Sequence, residues 1–395
     1  MTRVTVVGQG PAALFAASLL REAGHECIIV SESEGSLPLW SGTFDFHAPV
    51  GDVSNPWSLL DKQPISLSGQ EWERLWESLA RFERQAGIPV PDLLPSRGRF
   101  TITCTGREKP VFMVPAWQYA QEAAQPVWFV GFDGLADNMA AFQCGAYQKH
   151  TGVEANYCEI PKPSQWTPTW GAVRWAAYVD SDGGLDWLKR ALQKVSPDIP
   201  PGWPVLVPQV IGRKFPERNL HALQMATGHP VFEYPLPPPS LGGMRIRDRW
   251  VWKLKQSGVQ FLAGRVTLAD PSGQLSLEDG REWRSDHIIV ASGGILGGGL
   301  EISVDGKVHD TLRKEVLGSI RVRQDPQMQE WGRLADDGTP RITTCGAQCR
   351  GWNPNRDSNG GALILATVSQ SLNREGLLAV GPPGAVSERS LSHVE

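Results

Sequence analysis

Three small residues near the N-terminus have the spacing of a phosphate-binding turn. Gly8, Gly10 and Ala13 form a G-x-G-x-x-A pattern that begins directly after the apolar run 3–7. In such a turn the first glycine permits a sharp bend, the second lets the backbone approach a pyrophosphate, and the third small residue keeps a helix close to a strand. The N–H groups and positive dipole at the start of that helix attract phosphate charge. The pattern therefore predicts that the chain binds a dinucleotide.

The elements around this turn have the order that the pattern requires. Residues 3–7 predict a buried parallel strand, and residues 11–23, which begin with Pro11 and Ala12, predict a helix. The apolar run 27–30 predicts a second strand, and Glu32 follows it at a position suited to hydrogen bonding with ribose hydroxyls. One βαβ unit in this order is the context in which the pattern is informative. FAD and NAD(P) are both ligands of such a unit.

The second half of the chain favours FAD over NAD(P). Residues 246–257 predict a helix and residues 258–262 a short strand. Three further strands predict a β-meander, at 265–269, 274–277 and 282–284. The meander leads into the strand 287–291, which ends in small residues.

A β-meander followed by a strand with an Ala-Ser-Gly-Gly end resembles the second half of the FAD-binding fold of two-dinucleotide-domain flavoproteins. That resemblance implies that Ser292, Gly293 and Gly294 approach bound FAD, and that Gly346 packs beside the ribityl chain. A predicted helix starts at the Gly-rich residues 359–361, and its positive end would favour reduced flavin. The predicted cofactor is FAD, with FMN as the alternative, and the predicted contacts at this helix start are Gly360 and Gly361.

Four segments, in the same order along the chain, resemble the family of B subunits of anaerobic glycerol-3-phosphate dehydrogenase. They are 41–45 (SGTFD), 129–135 (FVGFDGL), 236–245 (LPPPSLGGMR) and 291–300 (ASGGILGGGL). The resemblance runs the whole length and implies further cofactor contacts at Ser41, Gly42 and Thr43. The chain departs from the family pattern at 348–354 and in its short Gly-rich run 357–361, and the resemblance implies that these C-terminal loops lie over the reactive face of the flavin.

The chain is predicted to be an α/β protein with a Rossmann-type FAD-binding domain, a β-meander and an inserted α/β or α+β domain. Its 395 residues are enough for two domains. The FAD-binding domain is expected to be discontinuous, at residues 1–60 and 246–395, with a substrate or partner domain at 61–245. Within the insertion, strands are predicted at 127–131 and 205–211, and helices at 69–86, 134–148 and 184–195.

Composition argues against several classes of function. The net charge of −4 and the charged fraction of 20% give no sign of a surface for nucleic acid. Six cysteines without a C-x-x-C pair predict no iron–sulfur cluster in this chain, and no metal site is predicted. No segment approaches the ~18 consecutive apolar residues of a membrane span. We therefore expect a cytoplasmic protein that reaches the inner membrane, if at all, through a partner.

Two residues are candidates for a catalytic role. Arg245 follows a glycine pair and a proline run, which is a fitting place to bind an anionic substrate, with a structural arginine as the alternative. His47 lies just beyond the segment 41–45 and is a candidate proton carrier. The other histidines lie in no diagnostic motif and are expected to be structural or surface residues.

The family resemblance implies a FAD-dependent dehydrogenase that is one subunit of a heteromeric complex. Electrons from a small-molecule substrate would pass towards iron–sulfur and membrane-anchor subunits and then to quinone. The sixteen tryptophans are expected to fill the core and to add aromatic surface for contacts with other subunits. Two alternatives stay open: a non-catalytic flavin relay or scaffold beside a catalytic sister flavoprotein, and a stand-alone FAD oxidase or reductase of a small organic acid.

Overall fold

The structure is a computed structural model that describes residues 1–45, 67–90, 98–319, 341–349 and 360–378. Its strands are β1 (Arg3–Val7), β2 (Glu26–Ser31), β3 (Phe44–Asp45), β4 (Arg99–Ile102), β5 (Glu108–Met113), β6 (Ala120–Gln121), β7 (Val127–Phe132), β8 (Ala155–Ile160), β9 (Val205–Pro208), β10 (Val231–Tyr234), β11 (Gln260–Ala263), β12 (Val266–Ala269), β13 (Gln274–Leu277), β14 (Glu282–Arg284), β15 (His287–Val290), β16 (Leu300–Ile302), β17 (Lys307–Asp310), β18 (Val316–Ser319) and β19 (Ile342–Thr344). Its helices are α1 (Pro11–Glu22), α2 (Gly69–Gln85), α3 (Ala140–Thr151), α4 (Ala172–Val179), α5 (Asp182–Val195), α6 (Pro216–Thr227), α7 (Leu241–Gln256) and α8 (Gly360–Arg374). No helix in the described ranges has both the length and the apolar character that a membrane span requires.

A five-stranded parallel sheet, in the order β11-β2-β1-β15-β19, positions the N-terminal turn. At its centre Val7 of β1 pairs with Val30 of β2 and with Val290 of β15. Most residues of these three strands are buried on both faces, as their continuous apolar runs predict. Because the strands are parallel, the turns that follow them emerge at one edge of the sheet. The predicted α/β fold of Rossmann type is confirmed.

The predicted β-meander is confirmed as well. β12, β13 and β14 form an antiparallel sheet that immediately precedes β15. The sheet places Leu275 and Leu277 in the interior, whereas the strand ends and turns reach solvent. This alternation is the pattern of an antiparallel sheet with one covered face.

A second parallel sheet, in the order β10-β9-β7-β8, lies within the predicted insertion. Helix α3 connects β7 to β8, α4 and α5 connect β8 to β9, and α6 connects β9 to β10. An antiparallel sheet, β3-β5-β4-β6, adds the two-residue strand that follows the first βαβ unit. The insertion therefore combines a parallel α/β layer with antiparallel strands.

The helix predicted at 134–148 begins later, at Ala140. Residues 133–139 form consecutive turns, in which the N–H of Leu135 donates to the Phe132 carbonyl and the N–H of Asn138 donates to the Leu135 carbonyl. A side chain at Gly131 would come within 2.4 Å of the Asn138 side chain. The close packing of this turn against β7 delays the start of the helix.

The helix predicted at 246–257 begins earlier, at Leu241. The Ser240 hydroxyl caps it by accepting a hydrogen bond from the N–H of Gly243, at 3.4 Å. A Cβ at Gly243 would lie 1.8 Å from the Leu37 carbonyl oxygen, so glycine here allows the first turn to pack on the segment after β2. Close packing rather than helix propensity therefore explains the two glycines at this start.

One continuous hydrophobic core joins the two parallel sheets. Its members include Leu14 of α1, Phe129 of β7, Trp250 of α7 and Leu365 of α8. The predicted domain boundary at 245/246 falls inside α7, and the boundary at 60/61 lies outside the described residues. The division into domains therefore stays a prediction.

Most of the tryptophans that the structure describes are buried or half-buried. Trp117, Trp175 and Trp250 are completely buried, and Trp252 is the exposed one among the tryptophans that the structure describes. Trp170, Trp175 and Trp187 pack ring to ring with centroid distances of 5.4 and 5.6 Å. The expectation of aromatic surface for contacts with other subunits is wrong for this part of the chain, because the rings are needed to fill the core around the second sheet.

Candidate cofactor site

A cavity of about 340 Å³ lies at the carboxyl ends of the central strands. It brings together five of the predicted cofactor contacts, Gly8, Gly10, Glu32, Ser292 and Gly293. These residues come from opposite halves of the chain and meet because β2 and β15 both pair with β1. The carboxyl ends of strands in an open parallel sheet are where such folds bind ligands.

Gly8 is a glycine because the fold requires one. Its φ of +115° is rarely adopted by other residues, and an added Cβ would lie 2.3 Å from the carbonyl oxygen of Ala291. The N–H of Ala291 in turn donates to the Val7 carbonyl at 2.9 Å. The first turn is therefore pressed directly against the end of β15.

Gly10 is a glycine for a different reason. Its φ of −76° suits any residue, and an added Cβ would meet only the Ser36 hydroxyl oxygen, at 3.5 Å, among the described protein atoms. The protein itself therefore has room for a side chain here. Because Gly10 lines the cavity, this space is the place where a pyrophosphate would come close to the backbone.

The N-terminal end of α1 borders the same cavity. Gly10 is its N-cap residue and makes no side-chain cap hydrogen bond, and Pro11 occupies the first turn. Ala12 and Ala13 are buried, and the N–H of Leu14 donates to the Gly10 carbonyl at 3.0 Å. The helix thus offers a positive dipole end to an anion, without a competing side-chain cap.

Charged side chains of both signs line the cavity. Glu32 follows β2, and Oε2 of its carboxylate lies 3.9 Å from Nε of Arg265, which follows β11. Both side chains are more than half exposed, so a ligand could reach either of them. Lys314 contributes a second positive charge. A second carboxylate, Glu278, lines the cavity as well. The acidic residues suit the hydroxyls of a ribose, and the basic residues suit the charge of a pyrophosphate.

Several of the predicted contacts do not line this cavity. Gly346 has a φ of +81°, and a Cβ there would lie 2.8 Å from the Cβ of Ala12, so it packs on the first turn of α1. Gly294 lies close to the Ala347 carbonyl, 3.2 Å from where its Cβ would be. Gly360 and Gly361 begin α8. Contacts from these residues to a cofactor stay predictions.

The segment after β2 reaches a second cavity. Ser41 and Thr43 line a space of about 290 Å³, together with residues of β4 and the loop after β10. Their hydroxyl oxygens lie 3.0 Å apart and share a hydrogen bond. Gly42 packs against Gly242 at the start of α7 instead. Cofactor contacts at Ser41, Gly42 and Thr43 therefore also stay predictions.

Arg245 does not face either cavity. Its side chain is fully buried and pairs through both terminal nitrogens with the Glu233 carboxylate, which is equally buried. Its Nε donates to the Gly212 carbonyl at 2.7 Å, and the Trp117 ring lies 5.5 Å from the guanidinium. The suggested catalytic role is corrected to a structural one, because all parts of the guanidinium are engaged. His47 lies outside the described residues.

The two cysteines nearest Gly346 are not reactive thiols in this structure. Burial raises the pKa of the Cys349 thiol to about 12, and burial raises the pKa of the Cys345 thiol well above its usual value. Both groups therefore stay protonated near neutral pH, whereas nucleophilic chemistry would need a thiolate.

Several residues of the cavity wall were not predicted from the sequence. Arg265 and Gly264 follow β11, and a turn after a strand of the parallel sheet was a usable signal. Gly35 packs against the backbone of the N-terminal turn, and a Cβ there would lie 2.5 Å from the Gln9 carbonyl oxygen. Lys314 has a left-handed φ of 58° in the turn after β17, and no local pattern pointed to it.

Comparison with known proteins identifies full-length relatives, although no family model matches the chain. One relative, from Halobacterium salinarum, is named as the probable B subunit of anaerobic glycerol-3-phosphate dehydrogenase; it is 27% identical, over 93% of this chain and 96% of its own length. The proteins named as the B subunit of the same enzyme in Vibrio vulnificus and Pectobacterium atrosepticum are 23% and 24% identical, each over 94% of this chain and over 95% and 99% of their own lengths. The predicted resemblance to this family of B subunits is confirmed.

Solved structures are more distant than these relatives. The tetrameric form of 2-methyl-3-hydroxypyridine-5-carboxylic acid oxygenase matches with a TM-score of 0.34 and 10% identity, over 96% of this chain and 85% of that chain. Similarity at this level carries no argument about function. The site is therefore interpreted from its own geometry and from the full-length relatives.

Proposed function

We propose that this chain is a flavoprotein oxidoreductase that binds FAD at the cavity around Gly10. The observation that carries the proposal is the space at Gly10, which the protein's own packing leaves open beside the uncapped end of α1. The α1 end would hold the pyrophosphate, and Glu32 would accept hydrogen bonds from the ribose of the adenosine half. FMN lacks that half, which favours FAD. FAD, when bound, supplies a hydride acceptor.

The same proposal extends to a dehydrogenase subunit within a heteromeric complex. The relatives are named as one subunit of an anaerobic glycerol-3-phosphate dehydrogenase, at nearly equal length. Electrons from a small-molecule substrate would leave through an iron–sulfur partner towards quinone, and residues 61–245 would provide the substrate or partner domain. The chain would work in the cytoplasm, at the membrane only through its partners.

One observation favours a second candidate, the non-catalytic flavin relay. Arg245, the residue predicted to bind an anionic substrate, is buried and forms an ion pair with Glu233. The two basic residues that line the first cavity, Arg265 and Lys314, would pair with the pyrophosphate of the cofactor. A relay needs the cofactor site and no substrate-binding cation.

Two measurements on the chain purified alone test these candidates. Acid precipitation should release FAD into the supernatant; protein without flavin, or with FMN only, would contradict the cofactor assignment. Anaerobic titration with sn-glycerol 3-phosphate should then bleach the flavin absorbance if the chain is the dehydrogenase. A flavin that dithionite reduces but the substrate does not would favour the relay. Rapid turnover with oxygen would favour the stand-alone oxidase.

A further inference from the structure

We infer that Gln348 is a positioning residue that fixes two turns of the cofactor cavity, and this inference rests on the proposed FAD site. Gln348 lies in the turn Gly346–Gln348 after β19 and is completely buried. It does not line the cavity itself. Its role would be to act through the residues that do.

The first turn held by Gln348 is the small-residue turn after β15. The Ser292 hydroxyl donates to Oε1 of Gln348 at 2.9 Å, and Nε2 of Gln348 donates to the Gly299 carbonyl at 3.2 Å. These bonds hold both ends of the loop 292–299. Ser292, Gly293 and two further glycines of this loop face the cavity.

The second turn follows β17. Nε2 of Gln348 also donates to Oδ2 of Asp310 at 3.1 Å. Oδ1 of the same carboxylate accepts the N–H groups of Leu312 and Arg313, each at 2.9 Å. This arrangement shapes the residues 311–314, from which Leu312 and Lys314 reach the cavity wall.

One amide group therefore connects two separate parts of the cavity wall. Ser292 bonds to Oε1 of the Gln348 amide and Asp310 to Nε2, so both polar atoms of this amide are engaged. An apolar replacement would take one hydrogen bond from the Ser292 hydroxyl and one from the buried Asp310 carboxylate, and such losses are costly in the interior. Thr311 would still join the two turns directly, through hydrogen bonds from its N–H to the Gly299 carbonyl at 3.2 Å and from Oγ1 to the Gly298 carbonyl at 2.7 Å. Each turn would nevertheless lose its anchor on the turn after β19 and become more mobile.

Matched buried glutamines allow this role to be separated from general stability. Gln348→Leu removes all three hydrogen bonds with little change in volume. Gln143→Leu is the control: Gln143 is 1% exposed, lies in α3, and donates from Nε2 to the Cys104 carbonyl at 2.9 Å. Gln143 lines neither cavity.

The first readout is the rate of FAD release from the purified holoprotein, followed by the recovery of flavin fluorescence. Gln348→Leu should accelerate release by about tenfold or more, because buried polar groups that lose a partner destabilise the bound arrangement. Gln143→Leu should lower the melting temperature but leave the release rate within about twofold of wild type. Equal acceleration in both variants, or none in Gln348→Leu, would overturn the inference.

The second readout does not depend on bound flavin. In protein stripped of cofactor, amide hydrogen exchange of residues 292–299 and 311–314 should be faster in Gln348→Leu than in wild type, with no such change in Gln143→Leu. Unchanged exchange in both turns would defeat the positioning role even if wild-type protein carried FAD. If wild-type protein purified without flavin, but exchange in these turns were still faster in Gln348→Leu than in wild type, the cofactor proposal would be wrong. The positioning role of Gln348 would still be supported.

Discussion

The Glu32 carboxylate and the Arg265 guanidinium face each other at 3.9 Å, although they lie in opposite halves of the chain. The register of β2 with β11 brings them together, because Ser31 pairs with Ala263 and the two charged residues follow these strand ends. Two parallel neighbours thus deliver an acid and a base to one cavity wall. Neither residue is buried, so each can turn towards a ligand.

We expect Glu32→Ala to weaken FAD binding by about tenfold, because the ribose hydroxyls lose one acceptor while the pyrophosphate site is unchanged. Isothermal titration of cofactor-free protein with FAD measures the change. Arg265→Ala serves as the comparison. Its loss of FAD affinity should be larger at low salt than at high salt, because salt screens the attraction between the Arg265 guanidinium and the phosphates. Identical affinity in Glu32→Ala and wild type would show that the adenosine ribose lies elsewhere.

Gly10→Val should remove the flavin and leave the fold intact. The structure offers space for a side chain at Gly10, but that space is where the pyrophosphate would lie. The circular dichroism spectrum and melting temperature of the cofactor-free variant should match those of cofactor-free wild type. Its flavin content after purification should fall to below about a tenth of the wild-type value.

Gly8→Ala is the control for this prediction. The Cβ of the new alanine would collide with the Ala291 carbonyl, so the variant should be less stable than wild type even when both proteins are free of cofactor. A backbone clash combined with a left-handed φ costs about 1–3 kcal/mol or more. If Gly10→Val retained full flavin occupancy, the cofactor would have to bind away from α1.

The five-stranded sheet and the β-meander could be predicted because their signals are local. β13 and β14 end where their turn residues predict, and α1 is defined by Pro11 at its start and Gly24 beyond its end. β1 buries a continuous apolar run, and β13 buries an alternating one. A buried parallel strand and its glycine turn need no distant information to be recognised.

The second sheet was harder to predict because its outer parts are polar. β8 is an edge strand whose middle residues are largely exposed, so it lacks an apolar run. α6 buries Asn219, and the Asp180 carboxylate accepts N–H groups from the loop before it, including that of Arg213 at 2.8 Å. Such polar contacts come from tertiary packing, which periodicity does not report.

The charged cavity residues were missed for a related reason. Arg265 follows β11 of the five-stranded sheet, and Lys314 follows β17 of a separate three-stranded sheet. Tertiary packing between these parts brings both residues to one wall, and no local pattern reports it. For Arg245 the error was the reverse, because the sequence suggested a substrate-binding role for a residue that the structure shows in a buried ion pair. Its neighbours in sequence fit an anion site, but its partner Glu233 comes from β10.

Glu83 should make the protein less stable as the pH rises from about 5 to 8. Burial in α2 raises the pKa of the Glu83 carboxyl to about 8, against the weaker opposing effects of Trp250 and Arg249. The folded protein therefore keeps a proton that the unfolded chain releases near its ordinary pKa. The contribution of Glu83 to the free energy of unfolding is complete at pH values below the pKa that Glu83 has in the unfolded chain. Above that pH the contribution is lost at up to about 1.4 kcal/mol per pH unit, until the pH passes the pKa that Glu83 has in the folded protein.

Thermal unfolding between pH 5 and pH 9 checks this. Glu83→Gln should match the wild-type melting temperature near pH 5 and exceed it at pH 8, because its amide has no proton to lose. Glu77→Gln removes an exposed carboxylate from the same helix and gives the background effect of one lost charge. Parallel curves for wild type and Glu83→Gln would mean that the Glu83 carboxyl is not held neutral.

The Arg245–Glu233 pair should prove to be a support for the fold rather than part of a substrate site. Both side chains are completely buried, so Glu233→Gln leaves a guanidinium in the interior without its counter-charge. We expect this to lower the free energy of unfolding by about 3–5 kcal/mol, measured by urea denaturation. Asp248→Asn is the matched control, because the Arg213–Asp248 pair is partly exposed, with 36% and 37% of the side chains accessible, and should cost less than about 1 kcal/mol. The folded fraction of Glu233→Gln should keep wild-type flavin content and an unchanged FAD release rate. A loss of substrate-driven flavin reduction at full stability would instead make Arg245 a substrate-binding residue after all.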